Sequence, residues 1–554
     1  MKKTLLGVLV LLLLSVAPAL AQDKTTVTLV HFSDYHSHAG PFYGEGEANT
    51  AGIARLLAYL KPLASDPNTL IFSGGDTMNL GSPAWSDKYQ CVEWSWLNDV
   101  VDAMAFGNHD ADYGPEVFAQ CRSQINYPIL SANILSADGQ PLFQDDGKTY
   151  KVFEVDGHKI GVFALAGPDF VRLIKPETMP APDVTFADQV TTAQEVVKAL
   201  REQEQVEAVA LIGHALYEDD LALAQAVPGI DLIFGTHSHR LEELGQIPNT
   251  NTYYISPFQY LTYLSQVELT FSGTDLTAVN GELVRLSSDL PEEPDIAQRV
   301  AQMQADLQAD PQYAALYQPV GEAAVELSTE GQFTGEALLG NLVMDIFRSS
   351  AQANLALSTS SSFREPIPPG PILEETMRTA MPYTNKILVF DLTGSQVQEL
   401  LNYSVSRSGS DFFSQVSGVR FNIVEEQASN IQVLSDPTNP TAAYAPLDPA
   451  AIYKVATSDF QGLIAGGYKD IFAPANYVDT GLDVRTEVRN YLQSHNPVSA
   501  QLDGRITQGA TVPAALPVAG GEPIDPWSSM LLGLVLISVG LGLGRWAVKD
   551  GAAA

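Results

Sequence analysis

The sequence predicts a layered α/β fold, in which β-sheets are flanked by helices, followed by a smaller α/β domain. In the first half of the chain, short apolar runs bounded by glycine or turn residues alternate with segments of helical length. Such alternation is typical of a sheet covered by helices. A break rich in Ser, Asp, Pro and Glu follows at 287–294, and a second region of mixed pattern begins after it. The 554 residues are enough for two or three domains of ~100–200 residues each.

Residues 1–21 predict a signal peptide. Lys2 and Lys3 precede the apolar run Leu5–Val16, and small residues at 19–21 form a cleavage site. A retained membrane anchor is the alternative, which the shortness of the apolar run disfavours. We therefore expect an exported protein.

The first predicted domain covers residues 22–288, with a sheet at its centre. Its buried strand-like runs are Leu29–Phe32, Leu70–Phe72, Met104–Phe106, Ala208–Ile212 and Leu232–Phe234. Its helix-like segments are Gly52–Ala64, Tyr89–Val100, Pro115–Ile125, Asp188–Glu204 and Asp219–Ala226. Asp156-Gly157-His158, between two strand-like runs, indicates a hairpin.

Four segments complete the predicted organisation. A linker helix is expected within 289–320, a second domain in 321–508, and a spacer rich in Ala, Pro, Gly and Val in 509–526. Residues 527–546 are apolar apart from three serines and Arg545, and ~20 residues of helix cross the ~30 Å of a bilayer. A Trp lies at each end, and Arg545 and Lys549 form a basic flank. We expect a single transmembrane helix with the body on the extracytoplasmic face. A removable lipid-anchor signal is the weaker alternative.

Charge and cysteine content narrow the class of protein. The net charge of −35 argues against nucleic-acid binding, which requires clusters of Lys and Arg. Cys91 and Cys121 lie in an oxidising compartment if the protein is exported. Their spacing leaves a disulfide and two buried thiols equally open. Nothing in the sequence indicates the oligomeric state.

Metal-ligand side chains follow an apolar run at five places. They are Asp34 and His36, then Asp76, then Asn108 with His109 and Asp112, then His214, and finally His237 and His239. We expect these five strand ends to converge at one edge of the sheet, where α/β folds bind their ligands. Carboxylate and amide oxygens with imidazole nitrogens suit Mn, Fe or Zn. Any one of these motifs alone is more often an ordinary turn, but five in order favour a metal site.

The residue types fit a site with two divalent ions. Such a pair clamps a phosphoryl group and an attacking water, and it needs a bridging carboxylate, neutral imidazoles and a proton donor. Asp76 is the expected bridge. The expected ligands of one metal are Asp34, His36 and His239, and those of the other are Asn108, His214 and His237. His109 and Asp112 are the expected acid and the residue that orients it.

The second half carries further short motifs. They are Ser362-Phe363-Arg364, Met381-Pro382-Tyr383-Thr384-Asn385-Lys386, Leu392-Thr393-Gly394, Phe413-Ser414-Gln415-Val416-Ser417-Gly418 and Gly466-Gly467-Tyr468. Together with the metal motifs, these make residues 25–507 resemble the 5′-nucleotidase family. That family pairs a calcineurin-like metallophosphoesterase domain with a smaller substrate-binding domain. The resemblance therefore implies a layered metallophosphoesterase sandwich followed by an α/β substrate-binding domain.

The resemblance also implies roles for individual residues. It implies a dinuclear site with Asp76 shared, water activated by the metals as nucleophile, and His109 with Asp112 as the catalytic pair. Arg364 is expected to bind phosphate, for which a guanidinium fork is well shaped. Phe413 and Tyr468 are expected to sandwich the base, although core packing is an alternative for both rings.

Three departures from the family pattern affect the substrate site. Thr359-Ser360-Ser361-Ser362 replaces an Asn and glycines before Arg364, Gly335-Glu336 lies where an arginine is expected, and Tyr468 follows Gly467 without an intervening Asp-Gly. We expect hydrolysis of nucleoside 5′-monophosphates. Alternatives are a 2′,3′-cyclic-nucleotide phosphodiesterase, a nucleotide-sugar hydrolase, a thiohydrolase and an inactive binding protein.

Overall fold

The computed structural model describes residues 24–44, 46–439 and 442–509. The predicted signal peptide, the predicted transmembrane helix at 527–546 and all but the first residue of the predicted spacer lie outside these residues. Across the described ranges, no helix is both long enough and apolar enough to cross a membrane.

The first half of the chain contains sixteen strands and seven α-helices among the described residues. The strands are β1 (Lys24–Phe32), β2 (Phe42–Gly44), β3 (Glu47–Thr50), β4 (Thr69–Ser73), β5 (Ala103–Ala105), β6 (Ile129–Leu135), β7 (Pro141–Phe143), β8 (Tyr150–Val155), β9 (His158–Phe163), β10 (Thr185–Phe186), β11 (Ala208–Leu211), β12 (Leu232–Phe234), β13 (Leu241–Gln246), β14 (Tyr253–Pro257), β15 (Tyr263–Ser272) and β16 (Asp275–Arg285). The helices are α1 (Ile53–Ala64), α2 (Ala84–Tyr89), α3 (Pro115–Arg122), α4 (Phe170–Leu173), α5 (Gln189–Lys198), α6 (Tyr217–Ala226) and α7 (Pro294–Ala309).

Two sheets face each other in this first domain. One has the order β10-β6-β5-β4-β1-β15-β16, with β7 paired to β6, and the other has the order β13-β14-β12-β11-β9-β8. Apolar side chains of both sheets, including Leu29, Phe72 and Phe234, form the core between them. Helix α1 covers the outer face of the first sheet because Leu56, Leu57 and Leu60 lie on one buried face of the helix. Helices α5 and α6 cover the second sheet. The domain therefore has four layers.

The second half contains eleven strands and six α-helices in the described part of the chain. The strands are β17 (Pro319–Ala323), β18 (Leu355–Thr359), β19 (Gly370–Leu373), β20 (Lys386–Thr393), β21 (Ser414–Ser417), β22 (Val419–Val424), β23 (Gln427–Leu434), β24 (Tyr444–Pro446), β25 (Ile452–Ser458), β26 (Tyr477–Asp483) and β27 (Ile506–Gln508). The helices are α8 (Leu338–Ser350), α9 (Glu374–Ala380), α10 (Gly394–Ser406), α11 (Asp459–Leu463), α12 (Tyr468–Phe472) and α13 (Val484–Ser494).

The central sheet of this second domain has the order β21-β18-β25-β20-β26, and a four-stranded sheet, β24-β23-β22-β27, lies beside it. Two apolar cores pack on the elements of this domain, one built largely by α8 and α13 and the other by α10 and α12. The described residues thus form a two-domain α/β protein, with α7 between the domains.

Three sequence-based expectations need correction or completion. The metal-ligand runs do not end at one edge of a single sheet, because β1, β4 and β5 belong to one sheet and β11 and β12 to the other. No α-helix spans 89–100: α2 ends at Tyr89 and a 3₁₀ helix follows at Val92–Leu97. Cys91, between these two helices, is joined to Cys121 of α3 by a disulfide bond, which decides the alternative that the sequence left open.

Candidate metal centre and active site

The ligand-bearing loops leave their strands through sharp backbone turns. Asp34, His36 and Asp76 have φ values of 51°, 48° and 51°, and His237 and His239 have values of 54° and 48°. This left-handed region is uncommon for residues with a side chain. The loops also bond to each other, since the Asp34 N–H donates to Gly75 O and the His36 N–H donates to Asp76 O. The turns bring side chains from both sheets to one place.

Two glycines allow the loops after β4 and β5 to approach closely. Gly75 has a φ of +87°, and a Cβ there would lie 2.6 Å from the Gly107 nitrogen. A Cβ on Gly107 would lie 2.2 Å from Asp76 Oδ1. Asp76 Oδ1 occupies this space and accepts a hydrogen bond from the His109 N–H at 2.8 Å. Glycine at both positions is therefore required for Asp76 to occupy the centre of the site.

The structure brings the predicted ligands into two groups. One potential ligand atom each from Asp34, His36 and His239 lies within 4.8 Å of the other two, and the same holds for Asp76, His214 and His237. Asp76 Oδ2 also lies 3.9 Å from His36 Nε2 and 3.1 Å from His214 Nε2, so it connects the two groups. Four of these six side chains are almost inaccessible to solvent: Asp34, His36, Asp76 and His214.

Hydrogen bonds orient the imidazole rings for coordination. His214 Nδ1 donates to Gly74 O at 2.8 Å, which leaves the Nε2 lone pair directed at the carboxylates. His237 Nε2 bonds to Asp169 Oδ2 at 3.0 Å, which leaves Nδ1 for the centre of the site. A carboxylate or carbonyl partner on the outer nitrogen is the usual support of a metal-binding histidine.

Electrostatics keep the carboxylates charged despite their burial. Burial alone would raise the pKa of Asp34, but the hydrogen bond and charge of His239 hold it below its usual range. Burial opposes ionisation of Asp76 as well, and His214 and His109 lower its pKa. Burial lowers the pKa of His36 well below its ordinary value, so this ring is neutral. Burial would lower the pKa of His214, but the charge of Asp76 raises it to about 9, so this ring would release a proton on binding a cation. The ionised carboxylates and the neutral ring of His36 are suitable donors for a divalent cation.

A second observation indicates that these residues fit a metal ion. Asn108 Oδ1 and His214 Nε2 are buried and have no hydrogen-bond partner. Buried polar atoms without partners are rare and require an explanation, and both atoms belong to the predicted ligand set. A divalent cation held by Asp76, Asn108, His214 and His237 would satisfy them. Asp34, His36, Asp76 and His239 provide the second group of donors.

His109 and Asp112 form a hydrogen-bonded pair beside these groups. His109 Nδ1 lies 2.7 Å from Asp112 Oδ2, and the His109 ring lies edge-on to His36 with centroids 5.2 Å apart. Burial would lower the pKa of His109, but the charges of Asp112 and Asp76 raise it to about 10. The His109 ring is therefore held as an imidazolium next to the ligand groups.

The second domain contributes Arg364 to the same place. Arg364 Nη1 bonds to His239 Nδ1 and lies 3.4 Å from Asp411 Oδ2, while Nη2 donates to Tyr383 Oη at 2.8 Å. Next to it, Glu365 accepts a 2.7 Å bond from His38 Nε2 of the first domain. The guanidinium thus lies against His239 of the ligand groups.

The base-stacking role expected for Phe413 and Tyr468 does not fit this arrangement. Both side chains have 0% exposure and belong to the core of the second domain. Tyr468 Oη donates to Phe412 O at 2.7 Å, and its ring packs edge-on against Tyr403. Gly467 brings Tyr403 close, since a Cβ there would lie 2.2 Å from that ring. The Tyr468 ring therefore lies in the core of the second domain and does not face the cleft.

Two supporting carboxylates were missed from the sequence. Asp169 orients His237, and it follows an apolar stretch that ends in Gly167, the same signal that marked the other ligand loops. Asp110 is fully buried and accepts from the N–H groups of Gly107, Asp76 and Thr77 at 2.8–3.1 Å. It joins the loop of Asp76 to the loop of Asn108. Its place inside an already recognised motif was the available signal.

Comparison with known proteins agrees with the two-domain organisation. The family model described as calcineurin-like phosphoesterase matches residues 27–241. The model described as 5′-nucleotidase, C-terminal domain, matches residues 319–473. The first match spans all the predicted metal ligands, and the second spans Arg364, Phe413 and Tyr468.

Individual relatives are similar over most of this chain. The trifunctional nucleotide phosphoesterase protein YfkN of Bacillus subtilis is 26% identical over 87% of this chain, which spans only 35% of that protein's length. Protein UshA of Yersinia enterocolitica is 25% identical over 87% of this chain and 94% of its own. The crystal structure of a 5′-nucleotidase precursor from Thermus thermophilus superposes with a TM-score of 0.69 at 27% identity, covering 87% of this chain and 99% of that one.

Proposed function

We propose that this metal-dependent phosphoester hydrolase is a member of the 5′-nucleotidase family and that it hydrolyses nucleoside 5′-monophosphates to nucleoside and phosphate. The observation that carries the proposal is the position of Arg364. This second-domain guanidinium bonds to His239 of the ligand groups, and the His36 ring contacts both His239 and His109. A phosphomonoester dianion bound there would contact donors from both domains.

The proposal includes two metal ions in this site. We propose that Asp34, His36, Asp76 and His239 hold one ion, and that Asp76, Asn108, His214 and His237 hold the other. When bound, divalent ions polarise phosphoryl oxygens and lower the pKa of water. The chain's own contribution is to fix the donors: the left-handed turns, the Gly75–Gly107 approach and the hydrogen bonds on the outer nitrogens leave little freedom to the ligand atoms.

The remaining charged groups have distinct tasks. Arg364 binds the phosphate, because a guanidinium fork matches two phosphate oxygens and a charge-assisted hydrogen bond is strong. His109 stabilises the negative charge of the transferring phosphoryl group and donates a proton to the leaving oxygen. Asp112 fixes the ring of His109 through Nδ1, so that Nε2 is the atom available to the substrate.

The location of the enzyme is part of the proposal. The basic and apolar residues at 1–21 and the apolar segment at 527–546 support export and a C-terminal anchor on the extracytoplasmic face. Cys91 and Cys121 form a disulfide, the bond expected of a protein in an oxidising compartment.

Measurement of free phosphate, together with chromatographic separation of the nucleotide products, tests the proposal on the full chain. AMP, UMP, 2′,3′-cyclic AMP, UDP-glucose and p-nitrophenyl phosphate are compared with Mn²⁺, with Zn²⁺ and with a chelator. We expect the two monophosphates to be the best nucleotide substrates and the chelator to abolish turnover. His109→Ala should lower kcat by about 10²–10⁴-fold, the usual contribution of a positioned proton donor.

The matched control is His495→Ala, which removes an exposed histidine at the end of α13 and should leave kcat unchanged. Preference for the cyclic or diphosphate substrate would reject the monophosphate assignment. Wild-type activity of His109→Ala would reject the role of the pair.

A further inference from the structure

The loop Met78–Ala84 lies between the His109–Asp112 pair and helix α9 of the second domain. The Leu80 N–H donates to Asp112 Oδ2 at 3.0 Å. The same carboxylate oxygen lies 2.7 Å from His109 Nδ1. In the next residue, Gly81 O accepts a 2.5 Å bond from Arg378 Nη2 of α9. Two adjacent residues of one loop therefore connect the second domain to the catalytic pair.

Further bonds attach this loop to α9. The Ala84 N–H donates to Glu375 Oε1 at 2.5 Å, and Ser82 Oγ donates to Arg378 O at 3.5 Å. Glu375 and Arg378 are one helical turn apart, with Oε2 and Nη1 separated by 3.8 Å. The loop thus forms hydrogen bonds with one face of a short helix, and the side chains of both Glu375 and Arg378 take part.

Packing alone does not hold the loop in place. The Leu80 side chain is 54% exposed, so little apolar burial fixes the residue whose N–H contacts Asp112. Gly81 has a φ of +81° and no side chain. Within the first domain, the Gly81 N–H donates to Asp87 Oδ1 at 2.9 Å, and the Asn79 N–H donates to Ser86 Oγ at 3.2 Å. The orientation of the Leu80 N–H depends on these hydrogen bonds, and the bond from Arg378 is the one nearest to it from the second domain.

We propose that Arg378 is a positioning residue for catalysis, which makes the orientation of the His109–Asp112 pair depend on docking of the second domain. Arg378 holds Gly81 O, the loop holds the Leu80 N–H towards Asp112, and Asp112 holds His109. The inference rests on the role proposed above for that pair. Displacement of a catalytic group by about 1 Å can lower a rate about 10²-fold, so a loosened loop is sufficient for a measurable effect.

A double-mutant cycle on the full chain tests the inference, with p-nitrophenyl phosphate as substrate so that the result is independent of nucleotide preference. Arg378→Gln is measured in the wild-type background and in the Asp112→Ala background. We expect kcat to fall about tenfold in the first with little change in KM. In the second, the fall should be less than about twofold, because residues that act through one another are not additive. Equal falls in both backgrounds, or no fall in either, would overturn the proposal.

The matched control is Arg489→Gln. Arg489 of α13 forms an ion pair with Glu374, the first residue of α9, at 2.8 Å, but this contact lies within the second domain. Its loss should leave kcat unchanged in both backgrounds. Arg378→Lys keeps a donor for Gly81 O and should retain most of the activity. Arg378→Met, which has no donor, replaces Arg378→Gln in the cycle if that variant does not fold.

His109→Ala separates the two proposals. If this variant retains wild-type activity, the role of the pair is wrong and the inference falls with it. If His109→Ala is inactive while the Arg378 and Asp112 effects are additive, the proposed function stands and only the action through Asp112 is rejected.

Discussion

The metal end of the first domain and the aromatic cluster of the second domain hold their side chains by opposite means. At the metal end, five buried or half-buried ligands have φ values of 48–54°: Asp34, His36, Asp76, His237 and His239. Each such turn costs about 1–2 kcal/mol. In the aromatic cluster, neither Phe413 nor Tyr468 has a positive φ value. Both side chains are buried among apolar neighbours, and the Tyr468 hydroxyl is hydrogen-bonded.

This difference has a physical meaning. Strained backbone and buried polar atoms without partners reduce stability, so they persist where a function requires them. A satisfied aromatic core contributes stability and requires no ligand. The strained region is therefore assigned to chemistry and the relaxed one to packing, and variants in each region should change different quantities.

The largest effect of a substitution is expected at Asp76, whose carboxylate connects the two ligand groups. Asp76→Asn keeps the size of the side chain and removes its charge. We expect metal affinity and kcat to fall more than about 100-fold, since loss of a partner outside the ligand shell already reduces them by about 10–100-fold. The free energy of unfolding of the metal-free protein should also fall, because His214 and His109 lower the pKa of Asp76 against the effect of burial and its ionised form therefore stabilises the folded state. Metal content and thermal unfolding of the purified variant measure the two quantities.

Unchanged metal content in Asp76→Asn would contradict its role as the bridge. Asp102→Asn is the matched control, because this carboxylate precedes β5 and accepts from the N–H of Ile71 in the middle of β4. That substitution should affect stability without affecting metal content.

The ligand residues could be found in the sequence because each combines a chemical type with a local signal. Asp34, Asp76 and His214 are polar residues placed immediately after apolar strands, and a buried polar side chain in such a position needs a partner. The division of the strands between two sheets could not be found in this way. Strand periodicity does not state which strands pair, and β1 pairs with β4 and with the distant β15.

The aromatic pair shows the limit of motif reasoning. A large aromatic ring after a glycine pair is equally suited to stack on a ligand or to fill a core. The backbone path around Gly467 decides between the two, and here the Tyr468 ring lies in the core. The phosphate-binding role of Arg364 stays a prediction, since its guanidinium already bonds to Tyr383 and lies 3.4 Å from Asp411 Oδ2.

A smaller effect is expected at Asp169, which lies outside the ligand groups and orients His237. Asp169→Asn removes the negative charge next to Nε2 of the ring and weakens the preference for Nδ1 as the ligand. We expect metal affinity to fall about 10–100-fold. Titration with Mn²⁺ in competition with a chromogenic chelator measures it.

The matched control for this variant is Glu207→Gln. Glu207 bonds to His158 in another carboxylate–histidine pair. His158 does not belong to the ligand groups and stacks on Phe271. Glu207→Gln should therefore leave metal affinity unchanged. Equal effects of both substitutions would mean that Asp169 acts through general stability and not through His237.

The smallest effect of a substitution is expected at Tyr468. Base stacking and core packing by this ring predict different results for Tyr468→Phe. Tyr468→Phe keeps the ring and removes the hydroxyl that donates to Phe412 O and contacts Ser414 Oγ at 2.8 Å. We expect the free energy of unfolding to fall by about 1–3 kcal/mol, since the buried carbonyl of Phe412 loses its donor from Tyr468. KM for AMP and for UMP should remain unchanged, because the ring does not face the cleft. A several-fold change in KM for either nucleotide, without a change in thermal unfolding, would place Tyr468 at the base and reverse the assignment of this region to packing.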